Sequence, residues 1–596
     1  MKMPSICQKE AINHFAGPCE VIAGPGSGKT TVIIQRIHHL ISNHKIHPEQ
    51  ILVLTFSKAA ALELKNRFSL GSSVTFQTFH SLSYNIIGFH NKKLNHCMIS
   101  DSDKREYLSV ILNNLGIYEL EYEDVSEILS RISREKNQVP SKLVISESKI
   151  SEDQFVGIKK SYNDMLHENK KMDYDDLICD SLKLLQENHA LLNLCRTKFQ
   201  FILVDEFQDI NLPQYQLIKL LSAPLNNLFV VGDDDQSIYG FRGSSPQIMK
   251  TFLEDYSNSR CIFLTENFRS GAAIVKLAQD IISDNKIRFM KQFKARNIGG
   301  EIRFFQLLTH EQEEKMMVEC LNKISRTEHN HTAILVRTNG DCILWKDVLM
   351  RAGLLECDNL TRCNIYEMDI INDLLAFLKF VYKEKERNLF LKFVNKPNRY
   401  ISRDACIEPI IQETHLINYY HNNREIVNTI HFLFRMISLA QNVSPNKAIS
   451  IFRKYLKYDS YIEHKNSFSI HKDEIIKQLD SLQNSIKNIN NIDKLTEYIE
   501  NKKQENNNKG YMPEKTTTGI KIMTMHSSKG LEFDNVFIPD LNEGIIPSKR
   551  IITMEEMEQE RRVLYVAITR AKKSLYLFCT KERNRELSRF LINKIK

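Results

Sequence analysis

Residues 20–30 read EVIAGPGSGKT. Val21, Ile22 and Ala23 read as a buried strand, and a helical pattern opens near Lys29. With Ala23 in the first position, the run Ala23, Gly24, Pro25, Gly26, Ser27, Gly28, Lys29, Thr30 has the spacing of a phosphate-binding loop in its strand–loop–helix context. The glycines let backbone N–H groups close around phosphate oxygens, and the helix N-terminus adds a partial positive charge. Lys29 then reaches the β- and γ-phosphates, and the Thr30 hydroxyl is a ligand for Mg²⁺.

Around this stretch, 51–56 (ILVLTF), 201–206 (FILVDE), 228–232 (LFVVG) and 261–265 (CIFLT) are short apolar runs that end in a small, polar or acidic residue. Buried parallel strands with functional loops at their carboxyl ends read this way. Segments 57–68 and 214–221 are helical in pattern, so the fold class is α/β with crossover helices. A second set of strands is expected at 301–308, 332–337, 520–526, 535–539 and 574–579. Two mainly helical blocks interrupt the two sets. The expected partition is a first α/β domain at 1–81 and 196–272 with a helical insertion at 82–195, and a second at 273–383 and 513–596 with a helical insertion at 384–512. The polar stretch NKKQENNNKGYMPEKTTTG (501–519) has the composition of a mobile loop or linker.

LVDEFQD (203–209) supplies the partner of the phosphate loop. Asp205, past a buried strand, suits Mg²⁺, and Glu206 suits orienting and deprotonating the attacking water. These parts define an ATP-hydrolysing P-loop protein, a description that kinases, transporters and recombinases share. In VVGDDDQSIYGFRG (230–243), the polar Gln236 follows another strand, and Tyr239, Phe241 and Arg242 come soon after it. Two aromatics and a cation suit base stacking beside a phosphate contact. One short loop then touches both nucleotide and nucleic acid.

The bulk properties agree. Apolar content of 42% and charged content of 26% are those of a globular protein. A net charge of +8 permits phosphate contacts without proving them. No apolar run is long enough to span a membrane, and the start MKMPSICQKEAINHF lacks a signal-peptide core, so a cytoplasmic protein with no membrane partner is expected. Twelve scattered cysteines without a C-x-x-C pair read as reduced thiols rather than a metal site.

In order along nearly the whole chain, CQKEAI (7–12), AGPGSGKT (23–30), LTFSKAAALELKNR (54–67), TFHSL (78–82), LVDEFQD, GDDDQSIYGFRG, LTENFRS (264–270), MTMHSSKGLEFDNVF (523–537) and RRVLYVAITRAKK (561–573) resemble the motifs of superfamily 1 helicases of the UvrD/Rep/PcrA type. The resemblance implies two RecA-like P-loop domains with parallel sheets, each carrying a mainly helical insertion. It implies ATP and Mg²⁺ as cofactors and single-stranded DNA, or a single-strand/duplex junction, as the track, with 3′→5′ movement. By the same resemblance Gln8 reads adenine, Gln236 senses the γ-phosphate, and Arg269 and Arg570 reach that phosphate from across the cleft. Glu532 contacts the ribose, and Phe268 stands where relatives often stack a Tyr on adenine. Phe56, His80, Tyr239, Phe241, Arg242 and His526 line the DNA track. A partner nuclease or repair protein, and a monomer or weak oligomer, are compatible with this picture.

Two departures bear on function. Thr31 replaces a basic residue that packs on adenine in many relatives. In NKPNRYIS (395–402), Tyr400 and Ser402 stand where relatives carry the glycines of a turn that grips duplex phosphates. Side chains there hinder close backbone approach. This keeps open a second reading, a DNA-stimulated translocase or regulatory ATPase that strips proteins or serves a partner nuclease with little unwinding. The acidic DYDDL (173–177) reads as a capping feature rather than a metal site.

Overall fold

The computed structural model describes residues 4–68, 73–90, 97–115, 117, 122–137, 150–240, 243–354, 369–464, 472–487, 489, 491–509, 519–549, 551, 553–582 and 585–595. The chain forms two compact units, Met1–Asn339 with Ile520–Lys596, and Gly340–Gly519.

The first unit holds two large parallel sheets and two two-stranded parallel ones, β9 with β10 and β4 with β5. Its strands are β1 (Cys19–Ala23), β2 (Ile51–Thr55), β3 (Thr75–Thr78), β4 (Cys97–Met98), β5 (Lys171–Met172), β6 (Phe201–Val204), β7 (Leu228–Gly232), β8 (Arg260–Leu264), β9 (Glu266–Gly271), β10 (Lys294–Asn297), β11 (Glu301–Leu307), β12 (Thr332–Val336), β13 (Lys521–Thr524), β14 (Phe533–Ile538) and β15 (Ala571–Thr580). The first sheet has the order β3-β2-β6-β7-β1-β8 and the second β11-β15-β14-β12-β13. Neighbours run parallel throughout, for example Cys19 opposite Phe229 and Ala333 opposite Val536.

The apolar runs become strands because both faces of the first sheet are covered. Along β2, Ile51 and Val53 enter one core while Leu52 and Leu54 enter the other. Phe201 and Leu203 of β6 side with Ile51, and Ile202 and Val204 with Leu52. Period-two alternation is therefore hidden in an unbroken apolar run. The ten expected strands match β1, β2, β6, β7, β8, β11, β12, β13, β14 and β15 to within a few residues. Of the strands outside the expected set, β3, β4, β5, β9 and β10, only β3 joins a large sheet. Its TFQT is a short edge strand of mixed polarity, held by pairing to β2 rather than by apolar content.

Between β3 and β6 lies a helical layer, including Glu152–Glu168 and Tyr174–Glu187. Asp173 caps the second of these helices and accepts from Lys104 Nζ at 2.6 Å, while Asp176 takes Lys136 Nζ at 2.8 Å. The DYDDL acids are thus spent on a cap and on internal ion pairs.

The second unit is helical and closes its own core around Phe377, Phe390, Phe393 and Phe452. Its last helix, Ile492–Lys509, corrects the expectation of a loop from residue 501. Leu495 and Ile499 anchor its first half in the core. The Lys, Gln and Glu residues that follow are good helix formers and continue the turn despite their polarity. Residues 510–518 of that polar stretch lie outside the described residues. Tyr400 takes φ +56, the left-handed backbone that glycine favours, with its side chain 75% exposed. Ser402 has an ordinary φ of −65. Among the described residues no helix is long and apolar enough to cross a membrane.

One strand residue breaks the apolar rule. Glu20 on β1 is fully buried, and neither carboxylate oxygen has a hydrogen-bond partner. Burial, reinforced by the charge of Asp234, pushes its pKa well above the usual carboxylate range. The folded chain therefore keeps a proton that the unfolded chain loses above pH 4.5, and stability falls as pH rises from there. Glu20→Met is expected to stabilise the protein by about 1–3 kcal/mol, and by more at pH 8 than at pH 4.5. Urea unfolding at the two pH values measures this, and equal or lower stability of the variant contradicts it.

Candidate functional site

β1 ends at Ala23, and the chain turns through Pro25–Gly28 into the helix Lys29–Ser42. Gly26 and Gly28 take φ +66 and +85. A Cβ on Gly26 would lie 2.5 Å from the Cβ of Arg269, and one on Gly28 2.7 Å from Gln8 Nε2. The turn thus needs glycine for its backbone and for its neighbours. β9 clasps it from the far side, where Asn267 Nδ2 donates to the Pro25 carbonyl at 2.7 Å and Phe268 N to that of Gly26 at 2.9 Å.

The acids follow β6. Glu206 adopts φ +52, a conformation uncommon for a side-chain-bearing residue, immediately beside the phosphate loop. Lys29 Nζ donates to Glu206 Oε2 at 3.3 Å, and Gln208 Nε2 donates to the same oxygen at 2.7 Å. Burial raises Asp205, and the neighbouring Glu206 charge raises it further. Burial works against the charged form of Glu206 as well. Lys29 and Lys529, with the hydrogen bonds from Gln208 and Lys29, outweigh it and hold that carboxyl below its ordinary value.

The second sheet supplies the opposite wall. Arg570, just before β15, is buried and donates from Nη2 to Gln236 Oε1 at 3.1 Å. Burial, then Arg269, lowers it to about 9, so it stays charged at neutral pH. Arg269 Nε and Lys572 Nζ meet the two oxygens of Glu532 at 2.8 and 2.6 Å. Lys529 Nζ reaches Asp209 at 2.7 Å and also the Gln236 carbonyl. The loops after β1, β6 and β7 therefore face the amino-terminal ends of β14 and β15 across a cleft of about 980 Å³.

Of the residues expected at the nucleotide, Pro25, Gly26, Ser27, Gly28, Lys29, Thr30, Asp205, Glu206, Gln236, Phe268, Arg269, Glu532 and Arg570 all line this cleft. Gln8, Ala23 and Gly24 stand outside its lining. The Gln8 amide is spent on Ser27 O, to which Nε2 donates at 2.9 Å, and on the N–H of Ser5 at 2.8 Å.

A family model for the UvrD/REP helicase N-terminal domain matches residues 6–257, and one for the UvrD-like helicase C-terminal domain matches residues 262–582. The chain belongs to the UvrD/Rep helicase family. It is similar to the ATP-dependent DNA helicase PcrA of Staphylococcus aureus (strain Mu50 / ATCC 700699), 28% identical over 96% of this chain and 82% of the relative. It is likewise similar to the enzyme of the same name from Staphylococcus epidermidis (strain ATCC 12228 / FDA PCI 1200), 30% identical with the same coverage. As a family member the chain is an ATP-hydrolysing DNA helicase.

Of the helicase's expected track residues, Phe56 and Tyr239 stack on each other at 4.9 Å between ring centroids and 15° between planes. Both are half-buried. Lys529 lies over the Tyr239 ring at 5.1 Å. His80 meets Tyr174 edge-on at 5.5 Å. His526 is lowered to about 4 by burial and by Arg337 and Lys529, so its imidazole is neutral at pH 7. Phe241 and Arg242 lie outside the described residues.

Gln208, Lys529 and Asn267 did not emerge from the sequence. Each is a polar residue inside a quoted motif, two or three positions from a residue assigned to the site. That proximity was the available signal, but only the fold shows where each side chain turns.

Because Lys29 and Glu206 share one ion pair, their removal separates two properties. Lys29→Ala is expected to weaken ATP binding. Glu206→Gln is expected to bind ATP and to turn it over on the order of 10²- to 10⁴-fold more slowly. Titration with a fluorescent ATP analogue and a phosphate-release assay measure the two. Wild-type turnover in Glu206→Gln removes it as the base.

Proposed function

We propose that this helicase is an ATP-driven motor on single-stranded DNA that moves 3′→5′ and opens duplex at a junction. The observation that carries this is the loop after β7. Its Gln236 touches Arg570 in the cleft, and three residues on its Tyr239 stacks on Phe56. Nucleotide state and an aromatic surface for bases therefore share one short segment. The polarity rests on the family resemblance alone.

In this reading the amides of Pro25–Thr30 and the Lys29 ammonium hold the phosphates of ATP. Thr30 and Asp205 would hold Mg²⁺, which would add positive charge near the phosphate oxygens. The fit of a cation is supported by Asp205 itself, a buried carboxyl raised by burial and by Glu206 in a cleft that Thr30 also lines. Phosphates draw the Lys29 ammonium toward themselves and relax its hold on Glu206. Glu206 then accepts a proton from water as the water oxygen bonds to the γ-phosphorus and the bond to the leaving β-phosphate oxygen breaks. Arg570 and Arg269 donate to the oxygens on which charge builds, and Gln236 reports whether that phosphate is present. Glu532, held between Arg269 and Lys572, faces the ribose, and Phe268 the adenine ring. Each nucleotide state has its own set of contacts across the cleft, so binding and hydrolysis shift the population between closed and open forms.

A second reading, a translocase or regulatory ATPase that unwinds little, is favoured by one observation. Tyr400 adopts the glycine-like backbone but places a large exposed ring where close backbone approach to a duplex is needed.

The deciding experiment compares ATPase rates with single-stranded DNA, duplex DNA and RNA, beside displacement of strands from 3′- and 5′-tailed duplexes. Stimulation by single-stranded DNA with displacement from the 3′-tailed duplex is expected. Stimulation without displacement selects the second reading, and stimulation by RNA alone removes both. Arg570→Ala is expected to cut turnover by about 10³- to 10⁵-fold, the effect of an arginine finger, with smaller loss of nucleotide affinity. Tyr239→Ala is expected to keep basal ATPase and lose its stimulation by single-stranded DNA. Full stimulation in that variant makes the ring a packing residue.

A further inference from the structure

The chain Asn285–Lys291, just past the helix Ala272–Ile282, runs between the Gln236 loop and the helix Met554–Ile568, which leads to Arg570. It is fixed to that helix by Glu558, whose carboxylate accepts from Lys286 N at 2.7 Å and Ile287 N at 3.3 Å. Arg562 adds a hydrogen bond to the Ile287 carbonyl at 3.0 Å. On its other side it delivers two cations to three consecutive buried acids. Arg288 grips Asp235 with both Nε and Nη2, at 2.9 and 2.7 Å. The Lys291 ammonium, 1% exposed, pairs with Asp233, Asp234 and Asp235 together. It occupies the space in which three such carboxylates would otherwise gather a metal ion.

The consequence lies one residue further along. Asp233 Oδ1 takes Lys291, and its Oδ2 accepts from Gln236 Nε2 at 2.5 Å. A carboxylate only accepts and a guanidinium only donates. With Asp233 on one side and Arg570 on the other, the Gln236 amide has one permitted orientation, nitrogen toward Asp233 and oxygen toward Arg570. A flipped amide would set its oxygen against the Asp233 carboxylate and its N–H against Arg570. The orientation depends on the Asp233 carboxylate being held in place in a buried setting, and the Lys291 ammonium on its Oδ1 is the partner that holds it there.

We propose that Lys291 is a positioning residue for ATP hydrolysis, acting through Asp233 to fix which end of the Gln236 amide meets Arg570 and the γ-phosphate. This rests on the reading of Gln236 as the γ-phosphate sensor. Because the same segment is tied to the helix leading to Arg570, it also sets the sensor and the arginine to one frame.

The test is a double-mutant cycle between Lys291→Met and Gln236→Ala, with kcat and KM for ATP and affinity for ADP as readouts. Lys291→Met is expected to lower kcat on the order of 10²-fold, the loss that misplacement of a reacting group by an ångström brings. Affinity for ADP, which has no γ-phosphate, stays at the wild-type value. The double variant is expected to be no slower than Gln236→Ala alone, since both changes disable one device. Loss of ADP affinity in parallel with kcat, or a double variant slower by the product of the two single effects, makes Lys291 a general structural residue and overturns the proposal. Wild-type turnover in Gln236→Ala removes the sensor reading. A slow Gln236→Ala beside a fast Lys291→Met leaves the sensor standing and removes the positioning role. If Lys291→Met does not fold, Asp233→Asn enters the same cycle. Asparagine keeps the shape but offers the Gln236 amide an N–H as readily as a C=O, so the same kcat loss and the same non-additivity are expected.

Discussion

The loop Asp233–Gln236 is held by cations that enter it from other segments, Arg288 and Lys291 on its acids and Lys529 and Arg570 at Gln236. Its four side chains are buried, and three of them are acids. Lys291 and Arg288 neutralise the acids, Arg570 meets the Gln236 amide, and Lys529 meets the Gln236 carbonyl. Removing one partner from a buried ion pair leaves a charge that water cannot reach, at a cost of about 3–5 kcal/mol. The acids of this loop are therefore tied to the Arg288–Lys291 segment, and its Gln236 end to the second sheet through Arg570 and Lys529. A cleft whose walls are joined by such contacts changes as a unit when a phosphate competes for one of the cations.

The placement of the cleft follows from the sheets. A parallel strand order that reverses direction across the sheet leaves a crevice at the carboxyl ends, where ligands bind. β1 carries the phosphate loop there, β6 the two acids and β7 the Gln236 loop. The second sheet turns its amino-terminal ends to the same crevice, so Glu532 and Arg570 arrive just before β14 and β15. The first sheet thus contributes backbone amides, the Lys29 ammonium and the two acids, and the second contributes Arg570, Lys572 and Glu532.

Not every charged motif serves the cleft. The DYDDL acids form a cap and ion pairs within the helical layer, with Lys104 and Lys136 as partners. Tyr400 in the second unit takes a left-handed backbone and projects a large exposed ring from it. Glu20, with no partner, is the opposite case, a buried acid that the β1 backbone holds in place without compensation.

By itself the sequence determined the α/β class, ten of the strands and the phosphate-loop, acid and arginine residues of the cleft. Short apolar runs bounded by turn and loop residues, alternating with helical segments, fit buried parallel strands with loops at their ends, and the strand–loop–helix context of Ala23–Thr30 marks the phosphate loop. It did not determine the helix through residue 509, whose polar residues are helix formers anchored by Leu495 and Ile499. Nor did it determine that Gln8 spends its amide on Ser27 and Ser5, that Phe56 and Tyr239 stack on each other, or that Lys529 and Lys291 stand where they do. Those facts depend on contacts between residues up to hundreds of positions apart. A lysine in a sequence carries the same charge wherever it falls, and only the packing of the two sheets decides which carboxylate it neutralises.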